Sequence, residues 1–185
     1  MDKLQDNTYD FSKKIVLISA SSKGIGFGIA NAFHTYGAKV VINGRDSDSL
    51  LQAKSRLSEI DSERVLAIKG DIGQYDFIKK MIEKTETHFN SSVDILINNS
   101  GGPPPGSALS MSEHDWESAI NINMRSVIRL TNLVVPGMKK KKWGRVINLT
   151  STLAKEPGLN MILSNVTRSA VASFSKSMAN ELGEY

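Results

Sequence analysis

Short apolar runs alternate with longer amphipathic stretches along this chain. Five of the runs are rich in β-branched side chains and have no polar face, and they lie at 14–19, 39–42, 65–68, 94–97 and 145–149. A strand has this pattern when it belongs to a parallel sheet that helices cover on both sides, because both of its faces are buried. The runs therefore predict five buried parallel strands.

The stretches between the runs have apolar residues at helical spacing. They predict helices at 26–36, 47–60, 75–89, 113–138 and 161–182. This alternation is typical of an α/β protein with a Rossmann-type doubly wound parallel sheet, right-handed crossovers and strand order 3-2-1-4-5. We expect residues 1–185 to form a single domain of this class, with helices on both faces of the sheet.

The fifth predicted strand lies at the edge of the sheet, with one helix between it and Tyr185. It leaves Val146, Ile147 and Leu149 on a flat apolar edge, which natural folds usually cover because such edges aggregate. Either further strands follow Tyr185 in a longer protein, or another chain completes the sheet. We favour the longer protein, whose C-terminal strands and substrate segment lie outside this sequence.

The composition is that of an ordinary globular protein, with 40% hydrophobic and 23% charged residues. The absence of cysteine excludes a disulfide framework and a thiolate metal site. His34, His88 and His114 lack the spacing of metal ligands, so we expect no metal. No apolar run reaches the length of a membrane span and the polar N-terminus lacks a signal peptide. We therefore expect a cytoplasmic protein without a membrane partner.

The net charge of +4 equals the charge of a single tract, the four lysines at 139–142. We interpret this tract as a solvated connection between a helix and the fifth strand. A surface for nucleic acid or for an acidic partner is the alternative. No aromatic residues interleave with the lysines, although stacking aromatic side chains are typical of nucleic-acid binding. We expect no nucleic-acid partner.

The first predicted strand runs directly into a glycine-containing turn at 20–26, ASSKGIG, which opens the first helix. Backbone N–H groups in such a turn face a pyrophosphate at the positive end of the helix dipole. A glycine pair alone is a weak signal, but its position in the first strand–turn–helix unit supports this interpretation. The turn predicts a dinucleotide site.

The end of the second strand indicates which dinucleotide binds. An acidic residue there would bind the ribose hydroxyls of NAD(H) and repel a phosphate, but the chain has Asn43, Gly44 and Arg45. Arg45 and Lys23 can both make charge-assisted hydrogen bonds to a 2′-phosphate. We therefore favour NADP(H) over NAD(H), and we interpret Asp46 as the start of the next helix.

The segment GGPPPG at 101–106 follows the fourth strand. It forms neither helix nor strand, because three prolines fix φ and lack a backbone donor. Ligands bind at the carboxyl edge of an open α/β sheet, where this segment lies. We therefore prefer a stiff loop over a bound ligand to a plain linker.

In order along the whole chain, these motifs resemble those of the classical short-chain dehydrogenase/reductase family. Residues 19–26 resemble its Thr-Gly-x-x-x-Gly-x-Gly turn, and NNSG at 98–101 resembles the Asn-Asn-Ala-Gly segment that ends its fourth strand. The resemblance implies a homodimer or homotetramer formed through the helices at 113–138 and 161–182. It also implies that the cofactor is bound by Ser19, Ser21, Ser22, Lys23, Ile25, Arg45, Asp71, Ile72, Asn99, Ser100, Gly101 and Arg168.

Of the four catalytic residues that the resemblance implies, two are present and two are replaced. Asn123 and Ser151 match the asparagine and the serine of the family's tetrad. Ser164 stands where the family has a tyrosine that donates a proton to the reduced carbonyl. Arg168 stands where a lysine lowers the pKa of that tyrosine and holds the nicotinamide ribose. Losing a positioned acid costs a factor of roughly 10²–10⁴ in rate.

The substitutions have clear chemical consequences. A serine hydroxyl is a far weaker acid than a phenol, and arginine stays protonated and passes no proton on. A divergent branch of the family has a similar imperfect tetrad, and its members are usually named after 3-oxoacyl-[acyl-carrier-protein] reductases. The chain resembles this branch at 20–23, 101–106, 155–157 and 163–165.

Two functions follow from these residues. The first is an NADP(H)-dependent oxidoreductase that reduces a carbonyl or oxidises a secondary alcohol. Ser151 would bind the carbonyl oxygen, Asn123 would brace a relay water and Arg168 would hold the ribose. A water on Ser164, or Lys155, would supply the proton. The second is a dinucleotide-binding protein with little turnover, which acts as a redox sensor or scaffold. We favour the first.

Overall fold

The sheet contains five parallel strands. A computed structural model describes residues 9–185 of the chain. Its strands are β1 (Ile15–Ile18), β2 (Lys39–Gly44), β3 (Val65–Lys69), β4 (Ile95–Asn98) and β5 (Arg145–Asn148), in the order β3-β2-β1-β4-β5. Every neighbouring pair is parallel, so all five carboxyl ends lie at the same edge of the sheet. The predicted fold class and strand order are confirmed.

In the described part of the chain, six α-helices connect and cover the strands. They are α1 (Gly24–Thr35), α2 (Ser47–Asp61), α3 (Tyr75–Phe89), α4 (Glu113–Ile120), α5 (Ser126–Lys141) and α6 (Ile162–Leu182). Short 3-10 turns lie at Ser62–Arg64 and Thr152–Ala154. No helix within residues 9–185 is long and apolar enough to cross a membrane.

Two apolar layers flank the sheet. Val16 and Ile18 of β1 pack in the layer that contains residues of α1 and α2, whereas Ile15 and Leu17 pack in the layer with α3 and α5. Alternate residues of one strand therefore face opposite layers. Because both faces of the sheet are buried, the inner strands are apolar except for Lys39, Asn43 and Asn98 at or near their ends, which explains the continuous apolar runs.

The helix predicted at 113–138 is present and extends to Lys141, with a π turn at Asn121–Arg125 between α4 and α5. The backbone stays helical through this turn, with φ of −60° at Ile120 and −59° at Ser126, and apolar spacing did not reveal its extra residue. α4 begins with a capping box, in which the Ser112 hydroxyl accepts from the backbone of Asp115 and the Asp115 carboxylate accepts from the backbone of Ser112. The π turn contains Asn123, and such turns are frequent at functional sites.

The lysine tract is mostly helical, so its interpretation as a loop was wrong. Residues 139–141 form the last turn of α5, and only Lys142, with φ of 53°, lies beyond the end of the helix. Cations are favoured there by the helix dipole. Lys141 Nζ also donates to Asp94 Oδ1 at 2.8 Å, and Asp94 Oδ2 accepts from the backbone of Ile15 at 2.9 Å. The tract therefore connects α5 to the start of β1.

β5 is an outer strand of the sheet. Its residues are half-buried or exposed, and Ile147 is 47% exposed, whereas every residue of β1 and β4 is buried. On its inner side β5 is fully paired with β4, from Ile95 with Arg145 to Asn98 with Asn148.

His34 of α1 is fully buried between two backbone carbonyls. Its Nδ1 lies 3.3 Å from the oxygen of Ala38 and its Nε2 lies 3.0 Å from the oxygen of Leu57. Burial is the main cause that lowers the pKa of His34, and the nearby charge of Arg64 lowers it further. The folded protein therefore favours the neutral imidazole.

This burial predicts a loss of stability on mild acidification. Because the pKa of His34 is lower in the folded than in the unfolded chain, the unfolded chain takes up this proton first. The free energy of unfolding then falls as the pH drops below about 6.5. Urea unfolding between about pH 7.5 and 5.5 measures this slope. The His34→Gln variant should show a smaller slope, and identical slopes would contradict the prediction.

Candidate functional site

A groove of about 570 Å³ runs along the carboxyl edge of the sheet. Its walls come from the connections that follow β1, β2, β3 and β4 and from the helical segment around the π turn. Its volume lies in the range of small-molecule sites. Of the predicted cofactor residues, the groove is lined by Ser22, Lys23, Ile25, Arg45, Asp71, Ile72, Asn99, Ser100 and Gly101.

The glycine-containing turn brings backbone close to the groove. Gly24 has φ of 60° and open space where a Cβ would stand, whereas a Cβ on Gly26 would come within 2.7 Å of Ala20 O and of Asn99 Nδ2. Within residues 9–185 no side chain caps the start of α1, where Lys23 is the N-cap residue. The first N–H groups of α1 are therefore available to an anion.

Ser19 and Ser21 lie beneath the groove rather than in its wall, and both are buried. Ser19 Oγ donates to Asn99 O at 2.6 Å and accepts from Asn99 N at 2.9 Å. Ser21 Oγ donates to Ile18 O at 2.7 Å and accepts from Asn43 N at 3.0 Å. Both hydroxyls thus hold the turn against neighbouring strand ends.

Cations surround the end of the groove next to β2. Arg45 is 72% exposed, and its Nη1 lies 3.8 Å from Asp71 Oδ2. Asp46 caps α2 and accepts from Ser49 N at 2.8 Å, as expected for a helix start. Hydrogen bonds from Ser49 are the main cause that lowers the pKa of Asp46, and the charges of Lys23 and Lys69 lower it further.

Lys69 is a cation that the sequence analysis missed. It ends β3 opposite Gly44, and its Nζ donates to the hydroxyl of Ser47. The strand order alone could have placed it beside Arg45, because β2 and β3 are neighbours. Lys69 thus lies beside the groove, whose lining at this end contains Lys23 and Arg45 together with Asp46 and Asp71.

Asn123 lines the groove from the π turn and is 1% exposed. Its Nδ2 donates to Ser100 Oγ at 2.8 Å and to Gly101 O at 2.7 Å. The amide therefore connects the π turn to the segment after β4, and the structure brings Asn123, Ser100 and Gly101 together.

Ser151, Lys155, Ser164 and Arg168 lie beyond the groove, around the carboxyl end of β5 and the first two turns of α6. Ser151 is half-buried, and its Oγ accepts from Leu153 N at 3.2 Å, so its proton remains free to donate. Ser164 is 6% exposed in the first turn of α6. Lys155 is exposed in the connection after β5.

Arg168 is 8% exposed, and its Nη1 donates to Leu149 O at 2.8 Å. No carboxylate within residues 9–185 forms an ion pair with it. Burial lowers the pKa of Arg168 from its ordinary value, but arginine remains protonated in proteins. The guanidinium is a buried cation at the carboxyl end of the sheet.

Two further side chains hold the connection that carries Ser151 and Lys155. Asn165 Nδ2 donates to Gly158 O at 2.9 Å, and its Oδ1 accepts from Gly158 N at 3.3 Å. Ser169 Oγ donates to Ala154 O at 2.9 Å. Sequence reasoning missed both, because a polar residue on a helix does not reveal which loop crosses it.

The segment after β4 and the start of α6 are also joined by backbone. Gly106 N donates to Asn160 O at 2.6 Å, and Ile162 N donates to Gly106 O at 3.3 Å. Through this bridge the proline-containing segment connects the groove to the residues around Ser164.

The groove fits a dinucleotide. The turn at 20–26 offers close backbone approach and free helix N–H groups, which suit a pyrophosphate. Lys23, Arg45 and Lys69 suit a further phosphate at the end next to β2. Asn99, Ser100 and Gly101 form the wall at the other end.

Comparison with known proteins identifies the family. Residues 14–185 match the short chain dehydrogenase family. The chain is 28% identical over 170 residues to a 3-oxoacyl-[acyl-carrier-protein] reductase of Chlamydia trachomatis, which covers 92% of this chain and 68% of that protein. This protein therefore belongs to the short-chain dehydrogenase/reductase family of oxidoreductases.

Solved structures agree with this assignment. A short chain dehydrogenase from Bacillus anthracis has 32% sequence identity and a TM-score of 0.87, over 94% of this chain and 69% of that chain. The L-sorbose reductase from Gluconobacter frateurii, solved with NADPH and L-sorbose, has 31% identity and a TM-score of 0.89, over 94% of this chain and 65% of that one.

The backbone conformation of Ala20 predicts that a glycine at this position of the turn would stabilise the protein. Its φ is 47°, a conformation that costs an L-residue roughly 1–2 kcal/mol. Ala20→Gly should raise the free energy of unfolding by about 0.5–1 kcal/mol, after the greater entropy of glycine in the unfolded chain is counted. Ala32→Gly, on the exposed face of α1, is the matched control and should lower it by about 1 kcal/mol. An equal decrease in the free energy of unfolding in both variants would exclude strain at Ala20.

Proposed function

We propose that the protein binds NADP(H) in the groove and transfers hydride between this cofactor and a carbonyl or secondary alcohol. The observation that carries the cofactor choice is the charge around the end of β2. Lys23 and Arg45 line this end with Asp46 and Asp71, and Lys69 lies beside it. No acidic residue occupies the last position of β2, where NAD(H) would need one. Binding of NADPH to the related L-sorbose reductase supports the same choice.

The cofactor, when bound, supplies or accepts the hydride. Ser151 donates a hydrogen bond from its free hydroxyl to the carbonyl oxygen and thereby polarises the carbonyl. Asn123 holds the π turn against Ser100 and Gly101, which keeps the wall at this end of the groove in position. Arg168 holds the ribose hydroxyls as a hydrogen-bond donor.

Proton transfer needs a donor other than a phenol. The tyrosines, at positions 9, 36, 75 and 185, lie outside the groove, and the ring of Tyr9 packs edge-on against that of Tyr36. We assign the role of proton donor either to a water bound to Ser164 or to the side chain of Lys155. Lys155 stands four residues after Ser151, in the connection that Asn165 and Ser169 hold against α6.

We propose a 3-oxoacyl thioester or another ketone as the substrate class. The Chlamydia trachomatis relative is named as a 3-oxoacyl-[acyl-carrier-protein] reductase and the Gluconobacter frateurii structure as an L-sorbose reductase, and both names describe carbonyl reduction. NADPH consumption with 3-oxoacyl thioesters, simple ketones and keto sugars tests the reaction and separates these substrates. A homodimer or homotetramer formed through α5 and α6 belongs to the same proposal.

A cofactor-binding protein with little turnover is the second candidate. The observation that favours it is the pair Ser164 and Arg168, because neither side chain can donate a proton as a phenol does. In that case NADPH would bind in the groove, and no substrate of the panel would be reduced.

The charge around β2 predicts the cofactor preference. NADPH should bind more tightly than NADH, because Arg45 and Lys23 neutralise the 2′-phosphate. Arg45→Asp should reverse the order, since it removes a cation and places a carboxylate against the phosphate. Dissociation constants from NADPH and NADH fluorescence measure the effect. Lys54→Asp on α2, an equal charge change outside the groove, is the control. Equal dissociation constants for NADPH and NADH in the unmutated protein would contradict the preference for NADP(H).

The tetrad residues predict that substitutions can change kcat without changing the affinity for NADPH. Ser151→Ala should lower kcat by about 10²-fold and leave the dissociation constant of NADPH nearly unchanged, because Ser151 contacts the carbonyl. The double variant Ser164→Tyr with Arg168→Lys should raise ketone reduction more than either single change, since the phenol needs the lysine to lower its pKa. Normal NADPH binding without reduction in the double variant would favour the second candidate.

A further inference from the structure

Within residues 9–185, no anion balances the charge of Arg168, which is mostly buried. Its only hydrogen bond to the rest of residues 9–185 is to the backbone oxygen of Leu149, and the ion pairs in this part of the chain involve other residues. A buried cation without a partner is unfavourable in a folded protein. A cation without a partner acts on any other charge that comes close, because no neighbouring carboxylate offsets it.

Ser164 precedes Arg168 by one helical turn on α6. Residues at this spacing are neighbours on a helix. A tyrosine at this position could lose its proton and compensate a neighbouring cation, but a serine hydroxyl does not ionise, and arginine does not release its proton. The pair Ser164 and Arg168 therefore keeps one positive charge in every state of the site.

The charge lies at the carboxyl end of the sheet. Leu149, which accepts from Arg168, follows β5, and its backbone N–H donates to Asn98 O at the end of β4 at 2.9 Å. The residues that follow Asn98, from Asn99 to Gly101, line the end of the groove opposite Arg45. Arg168 is thus near the end of the groove that remains for the nicotinamide when the phosphates lie at Lys23 and Arg45.

We propose that Arg168 makes this site select the reduced cofactor over the oxidised one. The inference rests on the proposed function, in which the groove binds NADP(H). The nicotinamide ring is positively charged in NADP⁺ and neutral in NADPH, so a fixed cation beside the ring repels only the oxidised form. Lys23 and Arg45 contribute no such difference, because the phosphates are the same in both forms.

The expected size of the selection follows from Coulomb's law. Two unit charges a few ångströms apart in a protein change a binding constant by about tenfold or more. NADPH should therefore bind at least about tenfold more tightly than NADP⁺. In an enzyme this difference speeds the release of the oxidised cofactor after carbonyl reduction. In a protein with little turnover it makes occupancy report the reduced fraction of the cofactor pool.

The experiment measures the ratio of the two dissociation constants by calorimetric titration with NADPH and with NADP⁺. Arg168→Gln removes the charge and should bring the ratio close to one. Ser164→Asp keeps Arg168 in place and adds a compensating carboxylate one turn away, so it should reduce the ratio by about tenfold. Ser164→Asn is its neutral control and should retain the ratio. Arg45→Gln should weaken both cofactors equally and also retain the ratio.

The outcomes separate this inference from the proposed function. Equal affinities for NADPH and NADP⁺ in the unmutated protein would overturn the selection and leave NADP(H) binding intact. An unchanged ratio in Ser164→Asp would also overturn the selection. If Arg168→Gln does not fold, the ratio in Ser164→Asp alone tests the inference. Failure to bind either form would contradict the proposed function itself.

Discussion

The hydrogen bonds between the turn after β1 and the ends of the neighbouring strands hold the whole site. Ser19 exchanges two hydrogen bonds with the backbone of Asn99, and Ser21 accepts from the backbone of Asn43. These polar groups are buried, where each unpaired group would be costly. The same contacts set where α1 begins and how closely β2 and β4 approach the turn. The groove exists because three strand ends are held in one arrangement.

Much of the fold could be predicted from the pattern of apolar residues. Strands buried on both faces leave continuous apolar runs, and right-handed crossovers leave few strand orders. The turn at 20–26 and the segment NNSG were recognisable because their positions relative to strands are fixed by chemistry. Asn123, Ser100 and Gly101 were recognised in separate motifs, and the structure places them in hydrogen-bond contact.

Other features of the structure could not be predicted from the spacing of apolar residues along the chain. One extra residue forms the π turn, and it leaves the apolar period of the flanking helices almost unchanged. Lys141 belongs to a helix because Asp94 and the helix dipole favour it there, although a run of lysines is typical of a loop. Asn165 and Ser169 have their roles only because the connection after β5 folds back over α6. Arg168 was recognised as a replacement, but its burial and its bond to Leu149 required coordinates.

The bridge between Gly106 and Met161 has a mechanical consequence. Backbone hydrogen bonds on both sides of Gly106 fasten the proline-containing segment to the start of α6, so neither can swing outward alone. Three consecutive prolines stiffen the segment and transmit a displacement with little loss. The position of the segment that follows Gly101 is therefore tied to the position of the first turn of α6, which carries Ser164.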